Sequence, residues 1–197
     1  MKTIRNLFFL LILTAPGAIL FAQDKPKDEN AAPASGFRAE YLKQLTDVEK
    51  KVVDLAQAMP QEKYTWRPAE GVRSVSEVFV HIGGSNFLLP VALGLKAPEG
   101  FSSDMEKTIT EKRKVVEVLK QSFQHLREAV LNTSDADLDK PAKFFGTETT
   151  VRDVFFQIAN HIHEHLGQSI AYARMNGVVP PWTAEQQAKE KEKSKSN

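Results

Sequence analysis

Three histidines fall within five residues of one amphipathic stretch: His161, His163 and His165 in NHIHEHLGQSIAYAR. His161 and His165 are four positions apart, so on a helix their imidazoles stand side by side on one face. Neighbours so placed can grip one metal ion through ring nitrogens at about 2.0–2.1 Å. A further histidine, His81, lies far upstream on a second amphipathic stretch. A third ligand from another helix would leave a coordination position open, and a cation held there lowers the pKa of bound water or activates a thiolate. Histidine-only ligation suits a divalent ion such as zinc, nickel or iron. The run HIHEH is not the H-E-x-x-H protease signature, because Gly167 stands where the second histidine would be needed.

Four amphipathic stretches must position these residues. The first helix is predicted over Phe37–Met59, with Leu42, Leu45, Val48, Val52 and Leu55 at helical spacing. Pro60 ends it, and a connector carrying Tyr64, Trp66 and Pro68 follows; the two aromatics read as packing anchors. The second helix opens at Ser74, where Ser74 and Glu77 form a capping box, and runs to Leu88 before Pro90, weakened by Gly83-Gly84. The third is predicted as one helix from Met105 to Leu131, with a stripe of Ile109, Val116, Leu119, Phe123, Leu126 and Val130. The fourth begins at Thr150 and stops at Gly177, ahead of Pro180-Pro181. No segment shows the alternation of a strand. The pattern predicts an all-α four-helix bundle, and the long link between the second and third helices permits a crossover.

On the helical wheel, His161 and His165 lie in or beside the stripe of Val154, Ile158, Ile162 and Ser169, with Gln168 and Tyr172 near them. His81 sits at the edge of the Val78–Ile82 stripe. His163 and His125 fall on wet faces, and Glu164 points to solvent. A single histidine on an apolar face is commonly a hydrogen-bonded core residue, which leaves His81 taken alone open to either reading. Two inward imidazoles side by side are costly without a partner, and a cation supplies one. Gln168, Tyr172, Asn86 and Glu77 are the candidates for a pocket or for support of the ligands, although Glu77 reads first as a capping residue.

The flanks set the compartment. Lys2 and Arg5, the apolar run Leu7–Leu13 and the small residue Ala22 form a secretory signal-peptide pattern over residues 1–22. Its loss would remove two of the 26 basic residues and no acid, leaving 24 against 25 and a net charge of −1. That balance argues against nucleic-acid binding. The absence of cysteine excludes disulfides and a lipid-bearing N-terminal cysteine. The expectation is a secreted or periplasmic protein with no membrane attachment after cleavage. Residues 23–36 read as a polar linker, 37–183 as the bundle, and 184–197 as a charged tail, disordered or a frayed helix.

The segments YTWRPAEGVRSVSEVFVHI and FFGTETTVRDVFFQIANHIHEHLGQSIAYARMNGVVPPW resemble the DinB-like (damage-inducible protein) superfamily. The most specific piece is the histidine pair followed by Gly167-Gln168 and an arginine–glycine end. The resemblance covers most of residues 37–183. It implies an up-down-down-up bundle, a divalent metal held by His81, His161 and His165, and a homodimer. Some relatives are metal-dependent transferases or isomerases that use low-molecular-weight thiols. The expected function is therefore a metal-dependent enzyme of hydrolase or thiol-dependent transferase type acting on a small molecule. The alternative is a non-catalytic, metal-binding or stress-associated interaction module.

Overall fold

The structure, a computed structural model, describes residues 32–195. The expected signal peptide lies outside the described residues, as does most of the linker. Among the described residues, four long helices carry the core: α1 (Phe37–Ala58), α2 (Val75–Leu88), and two more separated from them by a short helix, α3 (Met105–Thr108). These are α4 (Lys112–Asn132) and α5 (Val151–Met175). A hairpin of β1 (Pro141–Phe144) and β2 (Thr147–Thr150) precedes α5, and α6 (Pro181–Lys195) follows it. Both α1 and α2 pack against α4 and α5. Their apolar stripes meet in one core in which Val52, Leu55, Val78, Ile82, Leu119, Phe123, Leu126, Val154, Ile158 and Ile162 are fully buried. The stretch Val75–Leu93 has the length and hydropathy of a membrane span, but most of it is enclosed by this bundle.

Two expectations need correction here. The third helix is two helices, because the chain turns extended at Ile109. The Gln61 side chain bridges the break, donating from Nε2 to the Thr110 carbonyl at 3.1 Å and accepting the Lys112 amide at 2.7 Å. With Ile109 off the helix, the buried stripe of α4 runs through Val115, Val118 and Ser122 as well as Leu119, Phe123, Leu126 and Val130. The link before α5 holds an antiparallel hairpin, with Pro141 opposite Thr150 and Phe144 opposite Thr147. Phe145 and Gly146 form its tight turn at φ 47 and 84, the left-handed pair that matches strand twist. Four-residue strands are too short for alternation to announce them.

Of the two forms expected for the charged tail, the structure has the helical one, α6, over its described residues. Pro180 and Pro181 end the path of α5 but open α6, since proline fits a first helical turn, and the Pro180 carbonyl accepts from Thr183 and Ala184. Nothing in α6 is fully buried, and Trp182 is its apolar contact with the core.

Gly83, finally, is a packing device more than a weak point. A Cβ there would stand 2.7 Å from Cγ1 of Val118, so the glycine lets α2 approach α4 closely.

Candidate metal centre

The capping box at the start of α2 is formed as expected. The Ser74 side chain accepts the Glu77 amide, and the Glu77 carboxylate accepts the Ser74 amide at 2.6 Å. Glu77 also pairs with Arg67 at 3.1 Å, so it is engaged at the helix end and not with the histidines. The connector before α2 is pinned by Tyr64, which is fully buried and donates its hydroxyl to the Ala56 carbonyl at 2.7 Å. With its start fixed, α2 presents His81 two turns further on. The start of α5 is capped by Thr150, whose hydroxyl accepts the Asp153 amide at 3.2 Å. Ile158 and Ile162 bury the inner face of α5, which carries His161 and His165 toward α2.

His81, His161 and His165 converge: one ring nitrogen from each lies within 4.8 Å of the others. Nε2 of His81 is 3.1 Å from Nε2 of His161. Two nitrogens bound tetrahedrally to one zinc-like ion stand roughly 3.3 Å apart, so this pair already has the spacing of ligands. The ring of His165 lies 4.6 Å from each of the other two, edge-on. The opposite nitrogens are occupied by acceptors in two of the three cases. Nδ1 of His81 faces Oε2 of Glu106 at 3.0 Å, and Nδ1 of His165 faces Oε1 of Gln168 at 2.9 Å. An acceptor at Nδ1 keeps the proton there and turns Nε2, as a lone pair, to the centre, the arrangement that orients metal-binding histidines. Nδ1 of His161 is buried with no hydrogen-bond partner.

The electrostatics favour neutral rings. Burial, then the neighbouring His165, His81 and Arg73, push His161 down to about 4. Burial, followed by the Arg73 cation, also lowers His81, and Glu106 offsets this only in part. Burial would raise Glu106, but hydrogen bonds from Arg73 and His81 outweigh it and hold the carboxyl below its ordinary range. Neutral imidazoles beside an ionised carboxylate are the donor set a divalent cation requires.

Sequence reasoning missed Glu106, Arg73 and Ser85. Glu106 lies on the four-residue α3, and Arg73 clamps it from the residue before the capping box, Nε to Oε1 at 2.6 Å. Ser85, one turn beyond His81, places its hydroxyl 3.4 Å from Nε2 of His161. A recurrence of Glu106 at helical spacing could not have been seen in so short a helix. Ser85 follows His81 by four positions and was legible on the wheel.

The remaining candidates divide. Gln168 also donates to the Tyr172 hydroxyl at 3.0 Å, and Trp66 meets Tyr172 edge-on at 5.5 Å, so these three form a chain behind His165. Asn86 is fully buried but turned toward α4, where it donates to the Ser122 hydroxyl at 3.2 Å. His163 is exposed and bonds the Ala159 carbonyl within its own helix at 2.8 Å, and Glu164 is exposed too. His125 corrects its expectation: it is half-buried, not solvated, because Phe87 at the end of α2 reaches across to its ring at 5.6 Å. Beside the histidines lies a cleft of about 140 Å³, walled by His81, Ser85, Leu88, Phe101, Met105 and Glu106. The His81 side chain is 23 % exposed, so the centre is reachable from outside.

A helical bundle with a histidine centre shared between two core helices defines the class of protein. Residues 44–169 match the sequence pattern of the DinB superfamily, and the chain belongs to that family. Its fold is similar to a solved DinB-like protein from Bacillus cereus at a TM-score of 0.65 and 20% identity, covering 72% of this chain and 93% of that one. A DinB-like protein from Bacillus subtilis is similar at a TM-score of 0.58 and 20% identity, covering 71% and 93%. No curated protein matches the chain.

Proposed function

We propose that this chain is an exported protein that holds one divalent cation, zinc, nickel or iron, between α2 and α5, and that it is a metal-dependent enzyme of hydrolase or thiol-dependent transferase type. The observation that carries the reading is the convergence of His81, His161 and His165 while Glu106 and Gln168 occupy two of the opposite nitrogens. A divalent cation there supplies Lewis acidity to a water or a thiol near neutral pH. The chain's own groups do the rest. Glu106 and Gln168 accept from Nδ1 of His81 and His165, and burial of the His81 and His161 rings disfavours their protonation. The cleft beside His81 gives a small molecule its approach, and the Ser85 hydroxyl can donate to a group seated next to His161. A buried fourth protein ligand would favour the non-catalytic alternative, in which the ion only ties α2 to α5. Glu77, the candidate for it, is held by Ser74 and Arg67.

Export rests on Lys2, Arg5, the Leu7–Leu13 run and Ala22. The homodimer and the up-down-down-up helix order rest on the family resemblance, and the order also suits the long link between α2 and α4. Metal content by ICP mass spectrometry on the full chain, beside a His161→Ala/His165→Ala variant, tests the centre. About one equivalent in the parent and none in the variant supports it and justifies a screen of ester, amide and thiol-transfer substrates with the loaded protein. A folded parent that takes up no zinc, nickel or iron overturns it.

A further inference from the structure

Among the described residues, Glu106 is the one carboxylate that touches a histidine of the centre, and it belongs to neither of the helices that carry the histidines. It sits on α3, inside the link between α2 and α4, and it has two partners. Arg73 holds Oε1 at 2.6 Å, and Nδ1 of His81 lies 3.0 Å from Oε2. The same link supplies Phe101, Ser102, Ser103 and Met105 to one wall of the cleft beside His81. The link is also held by Phe101 against Phe87 at 6.0 Å between ring centroids, by Met105 and Ile109 against the core, and by Gln61 at the Thr110 carbonyl.

The tautomer of His81 connects these facts. A neutral imidazole carries one proton, on Nδ1 or on Nε2. With the proton on Nε2, directed at Nε2 of His161, the Nδ1 lone pair would face a carboxylate oxygen and repel it. With a cation on Nε2, the proton must sit on Nδ1, where it becomes a charge-assisted donor to Glu106. We infer that Glu106 is the positioning residue of the centre, and that the Arg73–Glu106–His81 bridge couples cation binding to the ordering of the α3 wall of the cleft. The inference rests on the three-histidine reading and extends it. Whatever binds the centre also builds part of the surface a substrate meets. Coupling of this kind is reciprocal, so loosening α3 weakens the cation.

The test uses the full chain with zinc ion as the probe. Zinc affinity is measured by competition with a chromophoric chelator, and amide hydrogen exchange is followed over residues 99–111 with and without zinc. In the parent, zinc slows exchange at the Glu106 end of the segment more than at the Phe101 end, because only the former leans on His81. Glu106→Ala binds zinc about 10–100-fold more weakly, the range for loss of a partner behind a metal-binding histidine, and loses the zinc-dependent slowing. Glu106→Gln keeps an acceptor oxygen and falls between the two. A purely structural role would alter metal-free exchange and leave the zinc affinity untouched. Parental zinc affinity in Glu106→Ala overturns the inference while leaving the centre intact. So does a parent whose α3 segment exchanges equally fast with and without zinc, which needs no variant to fold. A parent that binds no zinc, nickel or iron removes the inference together with the centre.

Discussion

Nε2 of His81 and Nε2 of His161, eighty positions apart in the chain, face each other at 3.1 Å. Two lone pairs at that distance repel, so the pair needs a shared proton or a shared cation. A proton satisfies two nitrogens only. His165, with its Nδ1 tied to Gln168, brings a third into the same space, and a cation satisfies all three. The distance therefore bears directly on what the site is built to hold.

Gln168 acts behind His165 as Glu106 does behind His81, but through a neutral amide backed by Tyr172. Gln168→Leu is expected to weaken zinc binding by about tenfold, the lower end of the range for such partners. Tyr172→Phe, which removes only the hydroxyl that orients the amide, should cost less. Chelator competition on the purified variants measures both, and unchanged affinity in Gln168→Leu would remove the amide from the account.

The metal-free protein should lose stability in mild acid. His161 is held down to about 4 in the fold, while an imidazole in the unfolded chain titrates near 6.5. Between those values the unfolded chain binds more protons, so the contribution is whole above about pH 6.5 and is lost as pH falls toward 4. Discounted for the ring's partial exposure to solvent, the loss is on the order of 1–2 kcal/mol, and the lowered His81 acts in the same direction. Urea midpoints taken in chelator at neutral pH and near pH 5 check this. A flat midpoint over that interval contradicts it.

Gly83→Ala sets two effects against each other. Alanine favours a helix over glycine by about 1 kcal/mol, yet its Cβ would meet Cγ1 of Val118 at 2.7 Å. Overpacking of a stiff β-branched neighbour costs about 1–3 kcal/mol, so a net loss of stability is expected. Adding Val118→Ala should recover part of it, and a double-mutant cycle from denaturant unfolding reads the coupling.

The start of α2 offers a simpler case. Ser74→Ala removes an acceptor for the Glu77 amide in a buried capping box and should cost about 1 kcal/mol. The same variant frees the turn that leads to His81, so thermal unfolding is best measured with and without zinc. A cost confined to the zinc-loaded protein would show that the cap serves the site more than the helix.

Whatever depends on a period of 3.6 residues was readable without coordinates. The His161/His165 pair, the outward turn of His163 and Glu164, the Ser74–Glu77 box and most of the inward helix faces, the start of the third apart, all follow from hydrogen bonds made within a few residues. The membership of His81 came from the family resemblance, because no local rule ties position 81 to position 161.

Tertiary packing decided the rest. Gln61 splits the third helix from fifty residues away by offering the backbone at Thr110 and Lys112 the bonds a continuous helix would have made. Phe87 covers His125, Val118 makes Gly83 necessary, and the link between α2 and α4 folds back to set Glu106 against His81. These contacts join residues whose separation along the chain carries no periodic signal. They exist because burying the helix faces against one another leaves only certain neighbours within reach, and that choice belongs to the packed bundle and not to any one segment.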